Sequence, residues 1–179
     1  MARHATTDTL GVAVFKPLLK NLRPIFGNDG PILIQNSSAR GAMEASLTNL
    51  FSPGDAVALI VNGRFGLRFA DIARDMGLVV HPVCPELGRT ANEDAIADTL
   101  TRHPEIRGLI GCMCETDTGV INDIDVVGRL GQRFGVITVI DAVSAAAGMP
   151  IRMKEQNIDV CFTGIQKCFM FLTKAWHRR

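Results

Sequence analysis

The stretch IRGLIGCMCETDTGVINDIDVVGRLGQRFGVITVID, Ile106 to Asp141, decides the fold. Ile106 to Met113 is a nearly unbroken apolar run that ends at turn-forming residues, which predicts a buried strand. Asn122 to Phe134 places apolar residues at helical spacing and stops at Gly135. Val136-Ile-Thr-Val-Ile140 is a second apolar run, and it leads directly into Asp141. A strand, an amphipathic helix and another strand, with both strands apolar throughout, imply parallel strands covered on both faces.

The alternation continues outward from this unit. Upstream, Leu10, Val14, Leu18 and Leu22 fall at helical spacing and predict a first helix ending near Pro24. Pro31-Ile-Leu-Ile-Gln35 reads as a strand. Ser38 precedes a helical run with Met43, Leu47 and Leu50, stopped by Ser52-Pro-Gly54. Ala56 to Val61 reads as a strand, Phe65 to Met76 as a helix closed by Gly77, and Leu78 to Val83 as a strand. Asn92 caps a helix to about Arg102, with Pro104 just beyond. Downstream, Ile158 to Phe162 is the last strand. The pattern predicts an α/β fold, a three-layer α/β/α sandwich with a mainly parallel sheet, forming one domain over residues 1–179.

Charge and composition narrow the function. The 19 basic and 18 acidic side chains leave a formal charge of +1, which argues against nucleic acid or an anionic membrane as partner. No apolar run approaches the roughly 18 residues that span a bilayer, and the polar N-terminus lacks a signal peptide's apolar stretch. A cytoplasmic location is expected. Five cysteines, an odd count, do not suggest a disulfide framework. Cys112 and Cys114 would face the same side of a strand, but further ligands at suitable spacing are not evident, so no metal site is predicted. The first strand–helix unit carries no G-x-G-x-x-G and the chain no Walker loop, against a nucleotide-binding domain.

In parallel sheets of this kind, ligands bind beyond the carboxyl ends of the strands. Asp141 stands where a buried strand emerges, so it needs a cationic partner or hydrogen-bond donors; it could equally cap the turn that follows. Lys167, in Thr163-Gly-Ile-Gln-Lys167-Cys168, follows the last strand and is either a nucleophile and base or a solvated loop lysine. Ser38, Ala39 and Arg40 open a helix whose amides could hold an anion, although a serine N-cap is common. Phe65 could lie against a planar ring or pack in the core. Thr116, in Glu115-Thr-Asp-Thr-Gly119, could bond a phenolic oxygen or simply form a turn.

Taken in order, the stretches GAMEASLTNLFSPGD (Gly41 to Asp55), NGRFGLRFADIA (Asn62 to Ala73), ETDTGVINDID (Glu115 to Asp125), VIDAVSAAAGMPIRM (Val139 to Met153) and IDVCFTGIQKC (Ile158 to Cys168) resemble the class V aminotransferases of fold type I. Within that class the alanine–glyoxylate and serine–glyoxylate group is nearest. The resemblance covers about Leu10 to Met170. It implies pyridoxal 5'-phosphate as cofactor, with Lys167 as the Schiff-base lysine and base, and Asp141 paired with the pyridine nitrogen. It also implies Val143 beneath the ring, Phe65 stacked on it and Thr116 near its phenolic oxygen. Gln166 would contact the phosphate or ring side, and Ser38, Ala39 and Arg40 would form the phosphate loop. The implied substrates are a small amino acid, of the alanine or serine type, and a 2-oxo acid such as glyoxylate or pyruvate. The implied assembly is a homodimer.

The resemblance also marks departures. Relatives carry a phosphate loop richer in glycine than Ser38-Ala39-Arg40, and cysteine desulfurases carry histidine where this chain has Gln166 and Phe65. A preceding N-terminal segment and a small C-terminal domain, which supplies the arginine for the substrate carboxylate, have no counterpart here. The run Phe169 to Arg179 departs from the family after the lysine. A truncation or frame change near Met170 is expected. A cofactor-binding fragment without catalysis and a related lyase or desulfurase are the alternatives.

Overall fold

The structure, a computed structural model, describes residues 7–170, with side chains from residue 13 onward. The unusual ending from Phe171 to Arg179 and the side chain of Leu10 lie outside the described residues. Helix α1 spans Thr7–Phe26 and α2 spans Ala39–Leu50. Strand β1 (Ala56–Ile60), helix α3 (Arg64–Asp75), strand β2 (Val79–Val83), helix α4 (Glu93–Arg102) and strand β3 (Ile106–Cys112) follow. Helix α5 (Ile124–Phe134) and strands β4 (Ile137–Asp141) and β5 (Val160–Phe162) complete the order. None of these helices is long and apolar enough to cross a membrane.

The strands form one parallel sheet in the order β2-β1-β3-β4-β5. Side chains alternate between its faces. Ala58, Ile60, Leu109 and Ile140 join Ile96 and Leu100 of α4 and Val127 and Leu130 of α5 in one core. Val57, Leu59, Ile110, Val139 and Phe162 join Met43 and Leu47 of α2 and Phe69 and Ile72 of α3 in the other. The expected three layers therefore form. The chain moves from β1 to β2 in one direction and then returns past β1 to β3. Right-handed crossovers require α3 and α4 to lie on opposite faces when the direction reverses, as they do.

Side-chain caps set the starts of α2, α4 and α5. Ser38 accepts from Gly41 N at 3.4 Å, Asn92 from Asp94 N at 2.9 Å, and Asp123 from Asp125 N at 2.9 Å. Gly135 ends α5 at φ 67°, in the left-handed conformation that glycine adopts without strain. Helix α1 runs past the expected stop and contains both Pro17 and Pro24. Strand β2 carries Pro82, which the sheet accepts because β2 is an edge.

Two sequence expectations fail locally. Pro31 to Gln35 is not a strand but unpaired chain. Only Ile32 packs against the core, while Leu33 is 90% exposed; with no strand beside it, an apolar run has no ladder to join. Strand β3 ends at Cys112, so Cys114 lies beyond it in an isolated bridge with Ile121 and does not share a strand face with Cys112.

Helix α5 approaches the 152–158 segment so closely that a Cβ on Gly128 would collide with the backbone carbonyl of Gln156. Backbone cannot rotate away as a flexible side chain can. Gly128→Ala is expected to cost about 1–3 kcal/mol or more. Urea unfolding should show a lower midpoint at unchanged slope.

Candidate active site

Reversal of the winding leaves a crevice between the carboxyl ends of β1 and β3. The carboxylate of Glu115, just beyond β3, is wholly buried there. Its Oε1 accepts from Gly66 N at 2.6 Å and its Oε2 from Phe65 N at 3.0 Å. Asp117 accepts from Arg64 N at 3.1 Å. These carboxylates satisfy the orphan amides at the start of α3 and oppose its positive end. Glycine is required at both contact points. A Cβ on Gly63 would stand 2.6 Å from the Glu115 carboxyl carbon, and one on Gly66 2.7 Å from the Ile60 carbonyl.

A buried amide pair closes the same region. Asn62 Nδ2 donates to Asn122 Oδ1 at 2.8 Å, and Asn122 Nδ2 donates to Cys112 O at 2.8 Å. Asn122 was expected to open α5; it faces inward instead, and Asp123 takes over the cap.

Asp141 is the last residue of β4 and is only 5% exposed. Its Oδ1 accepts from Val143 N at 2.8 Å, and Cys112 Sγ lies 3.9 Å from its Oδ2. No cation is within hydrogen-bonding distance of it among the described residues. Burial pushes its pKa from the ordinary 3.8 up to about 6, against the Val143 amide, which lowers it. The negative charge of Glu115 adds to the rise, and Cys112 and the Lys167 charge oppose it. Lys167 itself is exposed. It lies in the turn after β5, where its carbonyl accepts from Met170 N at 2.8 Å.

Thr116 Oγ1 and Ser144 Oγ lie 2.7 Å apart, joining the loop after β3 to the turn after β4. Cys168 Sγ donates to Ser144 O at 3.6 Å, which brings the segment beside Lys167 to the same turn. The structure thus gathers Asp141, Val143, Thr116 and the Lys167 turn. Phe65 joins the cluster through Glu115 and is half-buried in the first turn of α3. Gln166 is exposed and folds against Gly164. Ser38, Ala39 and Arg40 make no hydrogen bond to the other site residues among those described. Arg40 Nε pairs with Glu44 Oε1 at 3.0 Å on α2, whose first turn carries no acidic residue.

Sequence reasoning did not single out Glu115, Ser144 or the Asn62–Asn122 pair as site residues. Their roles depend on partners 28 to 60 residues away. Asn62 and Glu115 stand just after predicted strands, where polar residues are expected to converge, but neither Ser144 nor Asn122 carries that signal.

Residues 31–170 match the family described as aminotransferase class-V. The chain belongs to that family. It is 31% identical over 155 residues to the alanine–glyoxylate aminotransferase of Felis catus, covering 86% of this chain and 37% of that protein. Among solved structures, the ureidoglycine–glyoxylate aminotransferase of Bacillus subtilis superimposes with a TM-score of 0.85 at 25% identity, covering 90% of this chain and 42% of that one. A cysteine desulfurase from Thermococcus onnurineus shares the fold at a TM-score of 0.76 and 15% identity. The chain spans about two-fifths of the length of the relatives it matches.

The residues present fit pyridoxal phosphate. A buried carboxylate held by one amide and lacking a cation is the group a protonated ring nitrogen would pair with, and hydroxyls and an amine stand at the same sheet edge. In the cofactor-free chain, Asp141 has a folded pKa above its unfolded one. Its contribution to stability is full below about pH 4 and is lost as the pH rises through about 6. Converted at about 1.4 kcal/mol per tenfold change in acidity, the loss is on the order of 3 kcal/mol. Asp141→Asn is expected to unfold with a flatter pH dependence between pH 4 and 7 than the parent chain, and to be the more stable of the two at pH 7. Parallel denaturant titrations across that range check this.

Proposed function

We propose that this chain is the cofactor-binding core of a pyridoxal-phosphate-dependent aminotransferase. It would move an amino group from a small amino acid, of the alanine or serine type, to a 2-oxo acid such as glyoxylate or pyruvate. One observation carries the reading: Asp141 is buried at the end of an internal strand, with no cation within hydrogen-bonding distance among the described residues. Bound there, the cofactor supplies an electron sink for the bond breaking at the substrate α-carbon.

The chain's own residues divide the remaining work. Asp141 holds a positive charge on the ring nitrogen, and the Val143 amide keeps its carboxylate oriented. Lys167 anchors the cofactor and moves a proton to and from the substrate α-carbon. Thr116, braced by Ser144, offers a hydroxyl toward the cofactor's phenolic oxygen. Phe65 and Val143 supply apolar surface for the ring, and Gln166 a polar contact at its edge or phosphate. Ser38, Ala39 and Arg40 provide the phosphate site at the start of α2. Arg40 must leave Glu44 to contribute its charge.

Glyoxylate in the names of the feline and Bacillus relatives supports the choice of acceptor. A desulfurase is the less favoured reading, because Gln166 and Phe65 stand where that group carries histidines. We further propose that the protein acts as a cytoplasmic homodimer.

Incubation with pyridoxal phosphate followed by borohydride reduction should fix the cofactor on Lys167, as read by peptide mass spectrometry. In Lys167→Ala the adduct should vanish. The rate at which added alanine or serine generates the pyridoxamine form should fall on the order of 10²–10⁴-fold. An adduct on another lysine of the parent chain would refute the assignment.

A further inference from the structure

Edge strand β2 carries a second cluster, separate from Asp141 and Lys167. His81 lies in the middle of β2, His103 caps the C-terminal end of α4, and Glu105 leads into β3. Packing of α4 on the sheet brings them together. One donor atom from each residue falls within 4.8 Å of the other two. Glu105 Oε1 stands 3.3 Å from His103 Nδ1 and 3.4 Å from His81 Nε2. The two imidazole rings are 3.8 Å apart at centroid, tilted by 33°.

The arrangement leaves an account open. His81 Nε2 is screened from solvent, yet it makes no hydrogen bond, because its approach to Glu105 is close but poorly directed. A buried polar atom without a partner calls for a missing one. Ligands of a tetrahedral ion with bonds of about 2.0–2.1 Å stand roughly 3.3 Å apart, which is the spacing of the carboxylate oxygen from both nitrogens. Two imidazoles and one carboxylate suit a borderline divalent ion. They offer too few oxygens for calcium or magnesium.

We propose that His81, His103 and Glu105 bind a divalent transition metal ion of the Zn²⁺ class, with a fourth position open on the side of the half-exposed Glu105. The stacked rings part slightly to admit the ion. Binding pins the end of α4 to the edge of the sheet. The site is independent of the cofactor reading and stands or falls without it.

The test uses the untagged full chain, stripped with chelator and titrated with Co²⁺ alone, then with Zn²⁺ as competitor. The expected result is one site per chain with tetrahedral visible bands, displaced by Zn²⁺. At a hundredfold excess over its dissociation constant, Zn²⁺ should raise the unfolding temperature by roughly 5–10 °C. His103→Gln and Glu105→Gln alter partly exposed side chains and should keep the parent circular dichroism. His103→Gln should weaken binding at least ~100-fold, His81→Asn as much, and Glu105→Gln about tenfold or more. Unchanged Co²⁺ affinity in the folded His103→Gln variant would overturn the proposal. So would a thiolate charge-transfer band lost in Cys84→Ser, binding that requires His4 or His177, or no binding at all with only a pH response of the imidazoles.

Discussion

Glu115 holds together what the winding of the sheet would otherwise leave open. Among the described residues its buried carboxylate has no cationic partner, a state that costs several kcal/mol unless donors replace water. Here two amides from the first turn of α3 replace it. That single contact joins the end of β3 to the end of β1 across the reversal in strand order. It also explains Gly63, where the carboxylate approaches the backbone more closely than any Cβ permits.

The same contact divides the helix N-termini by function. That of α3 already holds protein carboxylates and is closed to a ligand anion. That of α2 has no acidic residue in its first turn and retains its positive end. Two helix N-termini on one face of the sheet thus differ, one occupied by the chain's own carboxylates and one with none in its first turn. Burial of Asp141 makes the opposite provision, a negative charge in search of a positive one.

The fold was legible because the strands are largely apolar and the helices carry caps and stops, signals confined to a few neighbouring residues. Ser38, Asn92 and Gly135 act as their local sequence implies. Pro31 to Gln35 misled because an apolar run specifies a strand only when a neighbour completes its hydrogen bonds. The candidate site was legible only where residue type and strand position coincide, as at Asp141 and Lys167. Glu115, Ser144 and the Asn62–Asn122 pair escaped because nothing within their own segments names the distant partners that define them. His81 and the His103–Glu105 turn met the same obstacle, since their meeting depends on how α4 lies across β2.

Pro82 has a consequence beyond its tolerance at an edge. Val79 N and Val83 O bond inward to β1, so the alternate position, Pro82, turns its ring nitrogen outward. The free margin of β2 therefore lacks a donor in its centre. A second chain seeking to extend the sheet there would find an interrupted template. On the far side, β5 offers only three residues to pair with. Among the described residues, both margins resist strand-by-strand addition, which guards a sheet of such apolar strands against self-templated aggregation.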